Sequence, residues 1–269
     1  MCYTAKPAGP SVRRGQRRAP DLPALLTLGY ATFGYLVFLG VLAYSIGFFA
    51  GLGVPKGIDQ GTGSGWPAAV ATDAALLLLF AVQHTVMARA WFKRQWTRLV
   101  PPSAERATYV LSASVLLALL FWLWRPVGGT VWRLPEPGHG LLLAVYSAGW
   151  LIAISSTFLI SHFDLFGVRQ AYLPARGRAY QPPGFTERGL YRRIRHPLMA
   201  GFLVVFWAAP TMTLGHLLFA AAATGYILVG IMFEEHDLRQ SLGEAYASYL
   251  ARVPALIPVI RSRQSGGTT

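Results

Sequence analysis

The chain has 269 residues, of which 54% are hydrophobic and 13% are charged. Its mean hydropathy of +0.41 is too high for a soluble domain of this length, so the composition indicates a polytopic membrane protein. The 24 Lys and Arg residues exceed the 11 Asp and Glu residues and give a net charge of +13. Because these bases lie between apolar runs, they indicate topology signals and contacts with anionic membrane lipids, and nucleic acid is not an expected partner. The lone cysteine, Cys2, excludes a disulfide framework and a thiolate metal site.

Four segments in the first part of the chain are apolar over about the 20 residues that a bilayer requires. They cover approximately residues 22–53, 68–87, 107–124 and 140–160. The basic tail of residues 1–21 precedes them, and the first apolar run is long enough to span and ends without a small-residue cleavage site. We therefore expect a retained first transmembrane helix rather than a signal peptide.

The second part begins with the longest polar loop, residues 161–196, whose prolines and glycines predict little regular structure and whose length is typical of a lid or binding loop. An apolar run at 198–209 is too short to span and leads through a turn into a fuller run at 214–233, which together predict a helical hairpin. Apolar residues at helical spacing over 238–253 predict an amphipathic helix against the membrane domain. The predicted fold is all-α, with four full transmembrane helices, this hairpin and the tail helix.

The charges of the loops predict the orientation. The N-terminal tail, the connection 89–106, the long polar loop and the tail beyond Glu234 are rich in Lys and Arg, whereas the two other connections carry few. Since cytoplasmic loops carry the excess of Lys and Arg, both termini are predicted to be cytoplasmic. We divide the chain into a basic tail, a transmembrane region, a ligand-binding half and a C-terminal tail, which are residues 1–21, 22–160, 161–254 and 255–269.

Charged residues cluster on both sides of the hairpin. Arg195 and His196 precede Pro197, which suits the first turn of a helix whose N-terminus favours anions. Glu234 and Glu235 follow the hairpin, so cationic and acidic groups are expected at one membrane face. A ligand with both charges would satisfy them, and S-adenosyl-L-methionine is such a ligand. Its carboxylate suits Arg195 or the helix N-terminus, and its ammonium, sulfonium and ribose hydroxyls suit Glu234 or Glu235.

Some of these residues also have a simpler interpretation. For the Glu pair the alternative is an exposed helix end, and for Arg192 and Arg193 it is positive-inside anchoring. A metal site is not expected, because no two histidines are spaced as HxxH or HxxxH. The sequence also has no GxGxxG after a plausible strand, no P-loop and no GxSxG. The six histidines lie at positions 84, 139, 162, 196, 216 and 236.

The C-terminal half carries the motifs Arg195-His196-Pro197-Leu198-Met199-Ala200-Gly201 and Glu234-Glu235-His236-Asp237-Leu238, followed by Gly243, Tyr246, Tyr249 and Val253-Pro254. Together they resemble the isoprenylcysteine carboxyl methyltransferase-like superfamily of membrane S-adenosylmethionine enzymes. Upstream, residues 83–89, 105–111 and 161–170 are similar to a bacterial branch of this superfamily that methylates methanethiol.

The resemblance implies an enzyme of the bacterial inner membrane that transfers the methyl group of S-adenosyl-L-methionine to methanethiol and gives dimethyl sulfide. Met199 departs from the broader superfamily, which usually has Tyr there, and this argues against the prenylcysteine activity. The cofactor-binding residues that the resemblance and the charge pattern imply are Arg195, His196, Pro197, Met199, Gly201, Glu234, Glu235, Leu238 and Tyr246.

The expected chemistry requires a base, because a thiolate is a far better nucleophile than a thiol. His162, at the cytoplasmic end of the fourth helix, is a candidate base with Asp164 as a candidate orienter. Residues two apart do not face each other on a regular helix, so this pair needs a loop to converge. His84 is the other candidate, and the thiol is expected deeper in the membrane near His84 and His162. A structural hydrogen bond is the alternative for His162.

Two rival functions stay open from the sequence. One is a sister activity on a lipid acceptor, either a prenylcysteine carboxylate or a phospholipid amine, which would need a lateral gap between helices. The other is a non-enzymatic membrane assembly factor of the same fold. Membrane lipids are expected partners in every case, and no obligate protein partner is inferred.

Overall fold

The computed structural model describes residues 22–61 and 65–258. Cys2, the basic tail and most of the C-terminal tail lie outside these residues. In the described part, a short 3₁₀ turn forms at Gly189–Arg192. In chain order the other elements are α1 (Leu22–Ala50), α2 (Trp66–Ala88), α3 (Ala90–Trp96), α4 (Glu105–Leu123), β1 (Thr130–Arg133), α5 (Gly138–Ile160), α6 (His162–Leu165), α7 (Val168–Ala175), α8 (Pro197–Trp207), β2 (Thr211–Thr213), α9 (Leu214–Leu242) and α10 (Glu244–Arg252).

Five of the described helices, α1, α2, α4, α5 and α9, are long and apolar enough to cross a membrane. They confirm the predicted all-α polytopic membrane protein. The first four correspond to the four predicted spans, and the second arm of the hairpin, α9, is also of full spanning length. The first arm, α8, has 11 residues and is too short to span, as the sequence predicts.

Helix α9 is longer than predicted. It continues to Leu242, so Glu234 and Glu235 lie inside the helix and not after it. The apolar run ends near the membrane boundary, but charged residues such as Glu and Arg are good helix formers and carry the helix onward. Gly243, with φ of +55°, ends it in a conformation that glycine adopts readily. The predicted tail helix is therefore divided, since residues 238–242 belong to α9 and α10 is separate.

Two short strands, which the sequence analysis did not predict, pair at one end of the bundle. β1 and β2 are antiparallel, with Thr130 opposite Thr213. The indole nitrogen of Trp132 also donates to the carbonyl oxygen of Ala209 at 2.9 Å. The pairing joins the connection after α4 to the turn between α8 and α9. We call this end of the bundle the opposite face.

The apolar core reaches the opposite face and is closed there by hydrogen bonds. Phe48 and Trp124 are fully buried in it, and the Trp124 indole donates to the carbonyl oxygen of Ile58 at 3.1 Å. Asp73, which is fully buried in α2, accepts the backbone N–H of Arg125 at 2.9 Å. The charged residues of the predicted site lie at the other end of the helices, which we call the site face.

Helices α5 and α8 cross at glycines. A Cβ atom on Gly201 would lie 2.7 Å from the backbone nitrogen of Ala153, and one on Gly149 would lie 3.0 Å from the carbonyl oxygen of Gly201. Small residues of this kind allow helix backbones to approach closely inside a membrane. The crossing fixes the short helix α8 and thereby places Pro197, its first residue, at the site face.

Candidate active site

A narrow crevice opens at the site face between α8, α9, α10 and the loop before α8. Its volume is about 60 Å³, which holds a few water molecules and lies far below the ~300 Å³ at which ligand pockets usually begin. A ligand of nucleoside size therefore requires the crevice to widen. The crevice is lined by Ile160, Gly184, Phe185, Thr186, Tyr191, Arg195, His196, Glu234, Leu238, Tyr246 and Tyr249.

Arg195 joins α9 to the C-terminal segment. Its Nε and Nη2 atoms both donate to Oε1 of Glu235, at 2.8 and 2.7 Å. Its Nη1 atom donates to the carbonyl oxygen of Leu250 at 3.3 Å and to that of Val253. The planar guanidinium can make all these bonds at once, which a lysine cannot. Arg195 thus acts as a clamp that already has several protein partners.

His196, the residue before α8, lies close to the carboxylates of both Glu234 and Glu235. Its Nε2 atom lies 3.1 Å from Oε1 of Glu235, and its Nδ1 atom lies 3.8 Å from Oε2 of Glu234. The backbone N–H groups of Arg195 and His196 donate to carbonyl oxygens in the segment after α10, at 2.9 and 3.0 Å. Glu235 is held by Arg195 and His196, whereas Glu234 lines the crevice. The two adjacent carboxylates therefore have different surroundings.

Aromatic side chains form one wall of the crevice. We call this wall the rim; it consists of Phe185, Tyr191, Tyr246 and Tyr249. The Phe185 ring meets the Tyr246 and Tyr249 rings edge-on, at centroid distances of 5.9 and 5.2 Å. The Tyr249 hydroxyl donates to the carbonyl oxygen of Tyr191 at 2.6 Å. Burial raises the pKa of Tyr249 to about 12 and also raises the pKa of Tyr246, so both hydroxyls stay protonated.

His84 lies on α2 among aromatic residues of α2, α4 and α9. Its Nε2 atom is 2.7 Å from the Tyr109 hydroxyl. The ring is stacked on Phe80 at 5.2 Å and meets Tyr226 edge-on at 6.4 Å. Its Nδ1 atom is buried without a hydrogen-bond partner among the described residues. We call Phe80, His84, Tyr109 and Tyr226 the aromatic box.

His162 connects α1 to α5. Its Nε2 atom is 2.7 Å from the Tyr35 hydroxyl, and its Nδ1 atom is 2.7 Å from the Thr157 hydroxyl. The Thr157 hydroxyl donates to the carbonyl oxygen of Ile154, so it accepts from Nδ1–H of His162, and Nε2 accepts from Tyr35. The ring is stacked on Phe158 at 4.1 Å. Burial lowers the pKa of His162.

Asp164 does not contact His162 among the interactions of the described residues. Its Oδ2 atom accepts from Arg169 at 2.6 Å and from the Ser161 hydroxyl at 2.8 Å. The orienting contact expected of Asp164 is made by Thr157 instead. Asp164 faces the long loop, where burial and then the Asp164 charge raise the pKa of Tyr180 to about 12.

The predicted site residues do not all lie together. Glu235 and Pro197 lie directly behind the crevice, whereas Met199 and Gly201 lie further along α8 and Gly201 packs on α5. His84 and His162, expected together, occupy separate sites. The predicted residues that line the crevice are Arg195, His196, Glu234, Leu238 and Tyr246.

Sequence reasoning did not single out several residues that these sites use. Tyr109 and Tyr35 pair with histidines 25 and 127 positions away, and Phe185 and Tyr191 come from the long loop. The available signal was the tyrosines inside apolar helices, since a buried tyrosine hydroxyl usually requires a partner.

The fold and the site define a polytopic all-α membrane protein with a charged, aromatic-rimmed crevice at one membrane face. A methanethiol S-methyltransferase of a Pseudomonas species is 51% identical over 250 residues, covering 93% of this chain and 96% of the relative. One from Mycobacterium tuberculosis is 51% identical over 234 residues, covering 87% and 96%. Nurim from Sus scrofa is 28% identical over 243 residues, covering 81% and 91%. No protein-family model matches the chain.

The chain therefore belongs to the methanethiol S-methyltransferase family.

Proposed function

We propose that this protein transfers the methyl group of S-adenosyl-L-methionine to methanethiol and gives dimethyl sulfide. The observation that carries the proposal is the 51% identity, over 93% of the chain, to a relative named methanethiol S-methyltransferase. The crevice supports it independently, because it presents an acidic and a basic group beside aromatic rings. We also propose the bacterial inner membrane as the location, with both termini and the site face in the cytoplasm, because the basic loops lie at that end.

The crevice residues fit a donor that carries an ammonium, a carboxylate and an adenine ring. Glu234 lines the crevice, and its carboxylate suits the ammonium. The start of α8, behind Pro197, suits the carboxylate. The rim suits the adenine ring, which would pack against the half-buried Phe185 and Tyr191. Leu238 adds an apolar contact at the same wall.

Other predicted donor-binding residues are assigned supporting roles. Arg195 already contacts Glu235 and two carbonyl oxygens, so its main contribution is to hold Glu235 and the segment after α10 in place. His196 bridges the two carboxylates. Met199 and Gly201 act through the packing of α8, because Gly201 lies at the crossing with α5.

The reaction places modest demands on the protein. When bound, S-adenosyl-L-methionine supplies a methyl group on a positively charged sulfonium. Attack by a thiolate cancels opposite charges, so a site with little water does not need to stabilise new charge. The chain must align the acceptor with the donor and take up one proton. The candidate bases remain His84 and His162, the latter without Asp164 in contact.

The test is the detection of dimethyl sulfide in the headspace above membranes that contain the protein, methanethiol and S-adenosyl-L-methionine. Membranes with the Glu234→Gln variant are the control, and calorimetry with the purified protein measures donor binding. Dimethyl sulfide from the wild-type membranes, and much less from the variant at a low concentration of S-adenosyl-L-methionine, is the expected result. A protein that binds the donor but yields no dimethyl sulfide would favour a lipid acceptor, and one that binds no donor would favour an assembly factor.

A further inference from the structure

The aromatic box leaves one proton route to its histidine. The Nδ1 atom of His84 has almost no accessible surface and no hydrogen-bond partner among the described residues. Its Nε2 atom is hydrogen-bonded to Tyr109 at 2.7 Å. Both side chains remain partly exposed. A proton can therefore pass to Nε2 of His84 through the Tyr109 hydroxyl that is bonded to it.

We propose that the aromatic box is the acceptor subsite for a small thiol, and that Tyr109 is the catalytic residue that passes the thiol proton to Nε2 of His84. This inference rests on the proposed function and deepens it.

The composition of the box suits a small thiol. Sulfur makes favourable contacts with aromatic rings, and Phe80, Tyr109 and Tyr226 supply three of them. The Arg106 guanidinium lies 5.8 Å from the centre of the Tyr109 ring, where a positive charge favours an anionic sulfur nearby. The box lies where α2, α4 and α9 meet, and its half-buried rings favour a thiol with a small apolar group.

The box also lies on the same helix as the crevice. Tyr226 precedes Glu234 by eight residues of α9, which is about 12 Å along a helix axis at ~1.5 Å per residue. The crevice and the box are therefore neighbours along α9, whereas His162 contacts Tyr35 of α1 and the outward-facing Phe158.

The proposed step balances in atoms and charge. The step uses the His84 tautomer with its hydrogen on Nδ1, so that Nε2 accepts from the Tyr109 hydroxyl. The thiol S–H bond breaks as its proton moves to the Tyr109 oxygen, and the Tyr109 proton moves to Nε2 of His84. The sulfur lone pair forms the new C–S bond to the donated methyl group. The old bond between that methyl group and the donor sulfur breaks, and its electrons neutralise the sulfonium. The products are dimethyl sulfide, the remainder of the donor as a neutral thioether, and a protonated His84. His84 then returns its proton to water.

The test compares two substitutions that each delete a tyrosine hydroxyl bonded at 2.7 Å to Nε2 of a histidine, Tyr109→Phe and Tyr35→Phe. General acid–base groups contribute typically 10²–10⁴-fold. Tyr109→Phe should therefore lower kcat by about 100-fold or more at neutral pH and leave the affinity for S-adenosyl-L-methionine unchanged. Tyr35→Phe should stay within about threefold of the wild type.

A second acceptor separates a lost proton route from a damaged box. Methaneselenol is more acidic than methanethiol and is largely ionised at neutral pH, so the Tyr109→Phe variant should methylate it at close to the wild-type rate. Raising the pH should also recover part of its activity with methanethiol.

Equal activities of the two variants, or a Tyr109→Phe variant that is as slow with methaneselenol as with methanethiol, would overturn the inference. A wild-type protein that produces no dimethyl sulfide would instead reject the proposed function itself.

Discussion

Two histidine–tyrosine pairs in this protein have the same length and different surroundings. His84 and Tyr109 lie 2.7 Å apart, and so do His162 and Tyr35. The second ring nitrogen of His162 is bonded to Thr157, whereas that of His84 has no partner among the described residues. A histidine whose two nitrogens are both satisfied serves as a brace between helices. One that leaves a buried polar atom unpaired carries a cost that invites a functional explanation.

The rings that surround the two pairs differ in the same sense. His162 is stacked on Phe158, a side chain that is 59% exposed on the outer surface of the bundle. His84 is stacked on Phe80 between helices α2, α4 and α9. The comparison teaches that a short His–Tyr hydrogen bond does not by itself identify a base. A candidate base is distinguished from a structural histidine by whether its other ring nitrogen has a partner and by where the ring lies relative to the crevice.

The largest expected effect is on turnover, which should fall far more when His84 is replaced than when His162 is replaced. His84→Asn should lower the rate of dimethyl sulfide formation by about 100-fold or more, because a general base contributes typically 10²–10⁴-fold. His162→Asn, assayed well below its unfolding temperature, should remain within about fivefold of the wild type. Initial rates from headspace gas chromatography at saturating donor give the answer. A greater loss in His162→Asn would reverse the comparison.

The next effect sharpens the comparison by separating the aromatic box from the crevice. Glu234→Gln keeps the size of the side chain and removes its charge, so donor binding should weaken by about 1.5–3 kcal/mol, the range for hydrogen bonds to charged groups. His84→Asn should bind the donor with wild-type affinity, since it lies outside the crevice lining. Calorimetry with S-adenosyl-L-methionine measures both. Unchanged affinity in Glu234→Gln would move the donor away from this carboxylate.

A smaller effect tests the structural role of His162, which is bonded to Tyr35 on α1 and to Thr157 on α5. Thr157→Val keeps the shape of the side chain but leaves Nδ1–H of His162 buried and unpaired, which should lower the free energy of unfolding by about 1–3 kcal/mol. Thr72→Val is the control, because the exposed Thr72 hydroxyl contacts only its own helix, at the carbonyl oxygen of Ala68. Unfolding titrations in detergent compare the two. Equal stabilities would mean that the His162–Thr157 bond contributes little.

The smallest expected effect is the pH dependence that His162 gives to the stability of the protein. Burial lowers the pKa of His162, so the folded protein binds this proton less tightly than the unfolded chain. The contribution of neutral His162 to the free energy of unfolding is therefore fully present above the ordinary histidine pKa of about 6.5, and it is lost as the pH falls below that value. The unfolding midpoint of the wild type should fall between pH 7 and pH 5.5, and it should fall less in His162→Gln. Parallel curves for the two proteins would assign the pH dependence to other groups.

Sequence reasoning predicts the spanning helices well because membrane thickness fixes their length, and the short apolar run of α8 is recognisable for the same reason. It misplaced Glu234 and Glu235 because hydropathy marks the edge of the apolar run and not the end of the helix. Arg195, His196 and Glu234 could be grouped from charge alone. The partners of His84 and His162 could not, since Tyr109 and Tyr35 come from other helices and only the packing of α1, α2, α4 and α5 brings them there.

Gly243 gives the rim a mechanical property of its own. The chain bends at this residue with φ of +55° and no atom within 4 Å of where a Cβ would lie, so the bend depends on backbone freedom and not on tight packing. Helix α10 is joined to α9 through this residue, nine positions beyond Glu234, and the Arg195 clamp and the Tyr249–Tyr191 hydrogen bond tie it to the segment before α8. Moving α10 to widen the crevice would therefore break these bonds and leave the packing of the membrane-spanning helices in place. Alanine is strained at φ of +55°, so Gly243→Ala should shift α10 and disturb the rim while the membrane-spanning helices keep their packing.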